Sequence, residues 1–164
     1  MKPIISTLAA CLLATAAHAD DDKIAVPADA PPSYVKECGS CHVAFPPQLL
    51  SAEDWQNVMN HLEKHYGDNA AIADPTRQEI TAFLVRHADA HGRSSGANSS
   101  RWPLPKLTKT GWFKHEHHKV TNTLWTGPTV RSPSNCSACH ERAEQGSFRE
   151  EEIRMPGDPR RAHK

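Results

Sequence analysis

Apolar residues follow two different patterns along this chain, and each predicts a different kind of segment. The first is a run from Ile4 through Ala17, preceded by the lone cation Lys2 and followed by Ala17-His18-Ala19 and three aspartates, Asp20 to Asp22. A short apolar stretch with a basic start and an A-x-A end reads as a cleavable secretory signal peptide over 1–19. It falls short of the roughly 20 residues that a membrane-spanning helix needs. Leu8-Ala9-Ala10-Cys11 is an alternative, lipoprotein-type processing point, although the apolar run continues past it through Leu12, Leu13 and Ala14.

The second pattern has a helical period. Ser51 with Asp54 three residues on marks a helix start, and the stripe Trp55, Val58, Met59, Leu62 and Tyr66 predicts a helix to about Tyr66, stopping at Gly67. A second helix opens with Asp74 as cap and Pro75 as the first helical residue, and carries Ile80, Phe83, Leu84 and His87 on one face. Gly92 to Ser100 reads GRSSGANSS, the composition of a linker.

Composition then adds a puzzle. The chain has 164 residues, of which 38% are hydrophobic and only ten are aromatic, beside eleven His, five Cys and thirteen Pro. That bounds it to one domain or two very small ones, short of core-forming side chains and rich in metal ligands. Something other than side chains is expected to fill the core. Nineteen Lys and Arg balance nineteen Asp and Glu, so no net field gathers nucleic acid, and the tryptophans do not interleave with a basic stripe. Removal of 1–19 leaves four cysteines, ten histidines and two methionines, Met59 and Met155.

Those four cysteines fall in two identically spaced pairs, each followed at once by histidine: Cys38-Gly39-Ser40-Cys41-His42 and Cys136-Ser137-Ala138-Cys139-His140. C-x-x-C-H is the attachment motif of c-type haem. Two thiols about one helical turn apart add across the two vinyl groups of a porphyrin, and the adjacent imidazole swings beneath the ring to bind iron. Two disulfides, a zinc site or a thioredoxin-like motif would use the cysteine pairs but would not require His after both. Export agrees with the haem reading. Two covalently bound haems c are therefore expected, on Cys38, Cys41, Cys136 and Cys139, with His42 and His140 as proximal iron ligands. Each haem would also supply the missing core.

The second axial ligand decides whether each iron is closed to other ligands. The supply favours histidine. On the first helix, phase sets His65 about 75° and His61 about 115° from the apolar stripe. His87 lies squarely on the stripe of the next helix, so phase leaves His65 and His87 open. In the second half, Trp112 to Val120 packs His115, His117 and His118 into four positions, and one of them is expected on the second iron. Met155-Pro156 is the rival there.

The stretches CGSCHVAFPPQLLSAEDW, HYGDNA, WFKHEHHKV and SPSNCSACH followed by RMP, in this order over nearly the whole mature chain, resemble the small dihaem cytochromes c of bacterial periplasms, DHC. The resemblance implies a mainly α fold with two small haem-wrapping domains, the N-terminal one like a class I cytochrome c and the C-terminal one irregular. Mapped here, these are residues 20–91 and 106–164, joined by a linker over 92–105. It also implies bis-His ligation, with the His of an H-[FY]-G motif falling on His65 and the His after Glu in the second half on His117. The implied function is periplasmic electron transfer without catalytic residues, from a membrane cytochrome b drawing on the quinone pool to a soluble high-spin monohaem cytochrome c. A small haem enzyme of peroxidase or nitrogen-oxide reductase type is the alternative, and a haem subunit of a membrane redox complex is the third reading. Bis-His ligation avoids the methionine that raises cytochrome c potentials, so both haems are expected below a typical His/Met site.

Overall fold

The computed structural model describes residues 24–95 and 103–157. The segment 1–19 expected to be a signal peptide, with Cys11, the acidic start Asp20 to Asp22, most of the Gly/Ser-rich linker and the basic residues Arg160, Arg161 and Lys164 lie outside the described residues. Five short helices carry the fold: α1, Pro32–Cys38; α2, Ala52–Met59; α3, Asp74–Arg86; α4, Gly111–Glu116; and α5, Asn122–Thr126. No strand occurs among the described residues, and none of their helices is long and apolar enough to cross a membrane.

Helix starts are set by local chemistry. Ser51 Oγ accepts the backbone N–H of Asp54 to cap α2, and Glu53 and Asp54 complement the positive end of its dipole. Thr110 caps α4 in the same way through the N–H of Phe113, and its own hydroxyl donates to Leu107 O at 2.8 Å. At α3 the cap is Ala73, not Asp74. Asp74 is already helical, with Pro75 following it, and its carboxylate accepts from Arg77 Nη2 at 2.9 Å.

The first predicted helix ends early. It stops at Met59, because Asn60 closes it and His61 leaves helical geometry at φ −134° and ψ 33°. Residues Leu62–Lys64 form a separate 3-10 turn, and Tyr66 and Gly67 take positive φ values of 51° and 115°. Leu62 stays buried beyond the break, which is why the 3.6 period overran the helix, whereas Tyr66 at the end of the predicted stripe is exposed.

One core joins the two halves of the chain. Tyr34 of α1, Trp55, Val58 and Met59 of α2, and Ile80, Phe83 and Leu84 of α3 pack together with Leu107 and with Phe113 of α4. Tyr34 and Phe83 rings meet at 4.9 Å, and the Tyr34 hydroxyl donates to Phe45 O. Burial and Cys38 raise the Tyr34 pKa well above its ordinary value. After α5 the chain is a series of 3-10 turns held by local hydrogen bonds. A single bridge, Ala25 with Ser147, ties the start of the described chain to this irregular end, with Val26 N–H donating to Gly146 O at 3.2 Å. Gly146 has φ 73°, and a Cβ there would sit 2.9 Å from Val26.

Candidate functional site

The first C-x-x-C-H begins where α1 ends. Cys38 is the last helical residue and Gly39 its C-cap. A Cβ on Gly39 would lie 2.3 Å from Val35 O, so the first spacer position has no room for a side chain. His42 follows, its Nδ1 bonded to Val43 O at 2.7 Å and its ring parallel to Phe45 at 4.6 Å.

His65 reaches this motif from a knuckle, not from a helix. It follows the 3-10 turn Leu62–Lys64 and pairs with Asp68 across the Tyr66-Gly67 reversal. Tyr66 sets its ring edge-on to His65 at 4.8 Å and donates its hydroxyl to Pro105 O. Burial, with Asp54 nearby, pushes the Tyr66 phenol up to about 12. The His42 and His65 rings lie 6.2 Å apart, centre to centre, with planes 17° from parallel.

The competing histidines are occupied elsewhere. His61 Nδ1 bonds Asn57 O at 2.8 Å. His87, the C-cap of α3, meets the Phe83 ring at 5.2 Å and holds Asp29 at 2.9 Å. Hydrogen bonds from His87 and then Arg86 keep the Asp29 carboxyl below the usual range.

The second motif sits on a 3-10 turn, Cys136–Ala138, with His140 N–H donating to Cys136 O at 2.9 Å. Ile153 bridges His140, and Arg154 N–H donates to Cys139 O at 2.8 Å, so residues 153–154 fix this motif from behind. His117 is the C-cap of α4. Its Nδ1 bonds Phe113 O at 2.9 Å and its ring stacks on Phe113 at 4.1 Å, with Trp125 at 5.8 Å. His117 and His140 are again 6.2 Å apart, but with planes 68° to each other. His115 turns to Glu116, and His118 Nδ1 to His115 O, both exposed. Met155 is 37% exposed.

These spacings fit a haem iron between each pair. Two imidazoles bound at about 2 Å on opposite sides of one metal have ring centres roughly 6 Å apart. Nδ1 of His42 and of His117 is committed to a backbone carbonyl, which leaves Nε2 as the nitrogen with a free lone pair. Nδ1 of His65 and of His140 is buried with no hydrogen-bond partner. Buried polar atoms are rarely left so. Burial, then the facing imidazole, lowers the pKa of both His65 and His140, which favours the neutral form that binds metals. None of the four cysteines is in a disulfide. Before a haem is attached, burial is the main cause that raises the Cys38 and Cys136 thiols to about 11, with Glu37 adding at Cys38.

Sequence reasoning did not single out the aromatic shells: Phe45 at His42, Phe148 at 5.4 Å from His140, and Trp125 at His117. Phe45 and Phe148 follow their motifs closely, which is the only signal the sequence offers.

Comparison with known proteins gives the same outline. The dihaem cytochrome c family model, DHC, matches residues 34–148. A dihaem cytochrome c from Shewanella baltica OS155 superposes with TM-score 0.65 at 35% identity, over 77% of this chain and 93% of that one. A dihaem cytochrome c from Rhodobacter sphaeroides gives 0.64 at 34% identity, over 76% and 99%. No curated protein matches the chain. The chain belongs to the dihaem cytochrome c family. It carries two c-type haems, and its function is electron transfer.

Proposed function

We propose that this protein is a periplasmic bis-His electron relay, taking electrons from a membrane cytochrome b and the quinone pool and passing them to a soluble high-spin monohaem cytochrome c. The observation that carries the reading is the pair of 6.2 Å imidazole separations, His42 to His65 and His117 to His140. Haem supplies reversible one-electron chemistry. The chain supplies the rest. Cys38, Cys41, Cys136 and Cys139 would anchor the two groups, and His42 with His65 and His140 with His117 would hold the irons. Irons held by two imidazoles each would leave nowhere for peroxide or a nitrogen oxide to bind, so the protein acts as a carrier and not as an enzyme. The signal-peptide reading of 1–19 supports export. A segment for each haem, over 20–91 and 106–164 with a linker between, accords with one attachment motif in each half, the two segments sharing the core that includes Leu107 and Phe113.

The test is carbon monoxide added to the dithionite-reduced holoprotein. The expected result is an unchanged low-spin spectrum at both haems. A full Soret shift of one haem would mean an open or displaceable position and would sink the relay in favour of ligand binding or catalysis.

A further inference from the structure

Charge is distributed unevenly along a chain that is neutral in sum. Residues 24–95 carry nine carboxylates against five Lys and Arg, whereas 103–135 carry five cations, Lys106, Lys109, Lys114, Lys119 and Arg131, against the single carboxylate Glu116. All five cations are exposed. None makes an ion pair among the described residues, and Glu116 faces His115.

The lysines also have a particular place. Lys106 Nζ lies 5.8 Å from the centre of the Tyr66 ring, which is itself edge-on to His65. Lys114 and Lys119 flank His117, whose ring faces His140. Residues 105–119 therefore form a strap that runs from one imidazole pair to the other, with lysines at both ends and between.

We propose that this strap is the docking surface for the acidic face of a protein electron-transfer partner. The proposal rests on the electron-transfer reading and adds where, and by what chemistry, the partner is met. Exposed lysines that balance no carboxylate do little for the fold. Gathered beside a redox site, they raise the encounter rate of an anionic surface and orient it. Anionic lipid is the weaker candidate, because the exposed positions of the strap carry no large apolar side chain to enter a bilayer.

The experiment is stopped-flow oxidation of the dithionite-reduced holoprotein by three oxidants: hexacyanoferrate(III), hexaammineruthenium(III) and an acidic single-copper protein in its Cu(II) form. One electron leaves the protein and reduces one oxidant to the Fe(II), Ru(II) or Cu(I) form. At low salt, Lys114→Glu and Lys119→Glu should each slow the anionic complex and the copper protein by about 3- to 10-fold. They should leave hexaammineruthenium unchanged or faster. The differences should vanish near 0.5 M salt, where screening acts within roughly 4 Å. Lys36→Glu, the same charge change on α1, should give less than half the effect. Equal slowing by Lys36→Glu, or equal slowing of the cationic oxidant, would overturn the surface. So would a shifted haem spectrum or potential in the variants, which would make the lysines partners of the cofactor. Co-sedimentation of the unaltered protein, but not the variants, with phosphatidylglycerol vesicles, without any kinetic difference, would replace the protein partner by lipid. Failure of the unaltered protein to reduce any oxidant would overturn the electron-transfer reading as well, whereas charge-independent rates would overturn the surface alone.

Discussion

At the scale of single residues, the two imidazole pairs share a spacing and differ in orientation. When two axial imidazoles are parallel, both donate into the same iron d orbital and split the pair of π-type orbitals; when perpendicular, they leave that pair nearly degenerate. Ring planes at 17° for His42 and His65, against 68° for His117 and His140, therefore predict two distinguishable ferric sites. Electron paramagnetic resonance of the oxidised protein should show one rhombic low-spin signal and one with an unusually large highest g value. A His65→Ala variant should convert the rhombic signal to high spin and His117→Ala the other, while His87→Ala, remote at Asp29, should leave both. Two identical signals would contradict the geometry, and high spin in the His87 variant would reassign the first ligand.

The same residues show how far the sequence could be read. The two C-x-x-C-H motifs were legible because attachment chemistry is local: their spacing is what the haem reading rests on. The facing histidines were not legible from phase, since the wheel that placed His61 and His65 assumed a helix through Tyr66, while His87 lay on the stripe of the next helix. His65 instead leaves a 3-10 turn at φ −67° and ψ 88°, a ψ that no regular helix contains, with Tyr66 next at φ 51°. The motif resemblance singled it out where the period could not. His117 was one of three candidates because nothing local shows that α4 ends at Glu116 and turns the next ring onto Phe113.

At the scale of elements, these helices are too short to stand by propensity, so each depends on its cap and its packing. Thr110 is buried at 1% exposure and closes hydrogen bonds in both directions. Thr110→Ala should lower stability by about 1–2 kcal/mol in denaturant titration, and Thr110→Ser should restore most of it. Because α4 delivers His117, the alanine variant should also broaden the low-spin signal of the second haem alone. The long α3 was legible from its period and its Asp-Pro start. The six-residue α4 and five-residue α5 were not, for neither contains two full turns over which a period can show.

At the scale of the whole molecule, the core ties α1, α2 and α3 to Leu107 and Phe113, so the two halves do not pack independently. Electrostatics holds the irregular end in a different way. Glu152 accepts from Arg149 and Ser147 and pairs with Arg142 at 3.0 Å, and hydrogen bonding from Arg149 is the main cause that holds its carboxyl down to about 2 from the ordinary 4.5. A depressed carboxyl stabilises the fold above its unfolded pKa and loses that contribution as pH falls toward the folded value. The stability advantage of the protein over Glu152→Gln should thus be constant from pH 7 to 5 and shrink between pH 4.5 and 2, measured by denaturant titration at each pH.

The seam between Ala25 and Ser147, with Val26 bonded to Gly146, lies beyond both attachment motifs at one end and before both at the other. Gly146→Ala, meeting Val26 in a left-handed conformation, should cost about 1–3 kcal/mol and make residues 24–31 sensitive to protease. During synthesis the segment at Ala25 and Val26 is made before both motifs, and its mate at Gly146 and Ser147 only after both. Closure of this seam therefore waits on residues 146 and 147, and a chain cut short of residue 146 is left with a loose end at its front as well as its back.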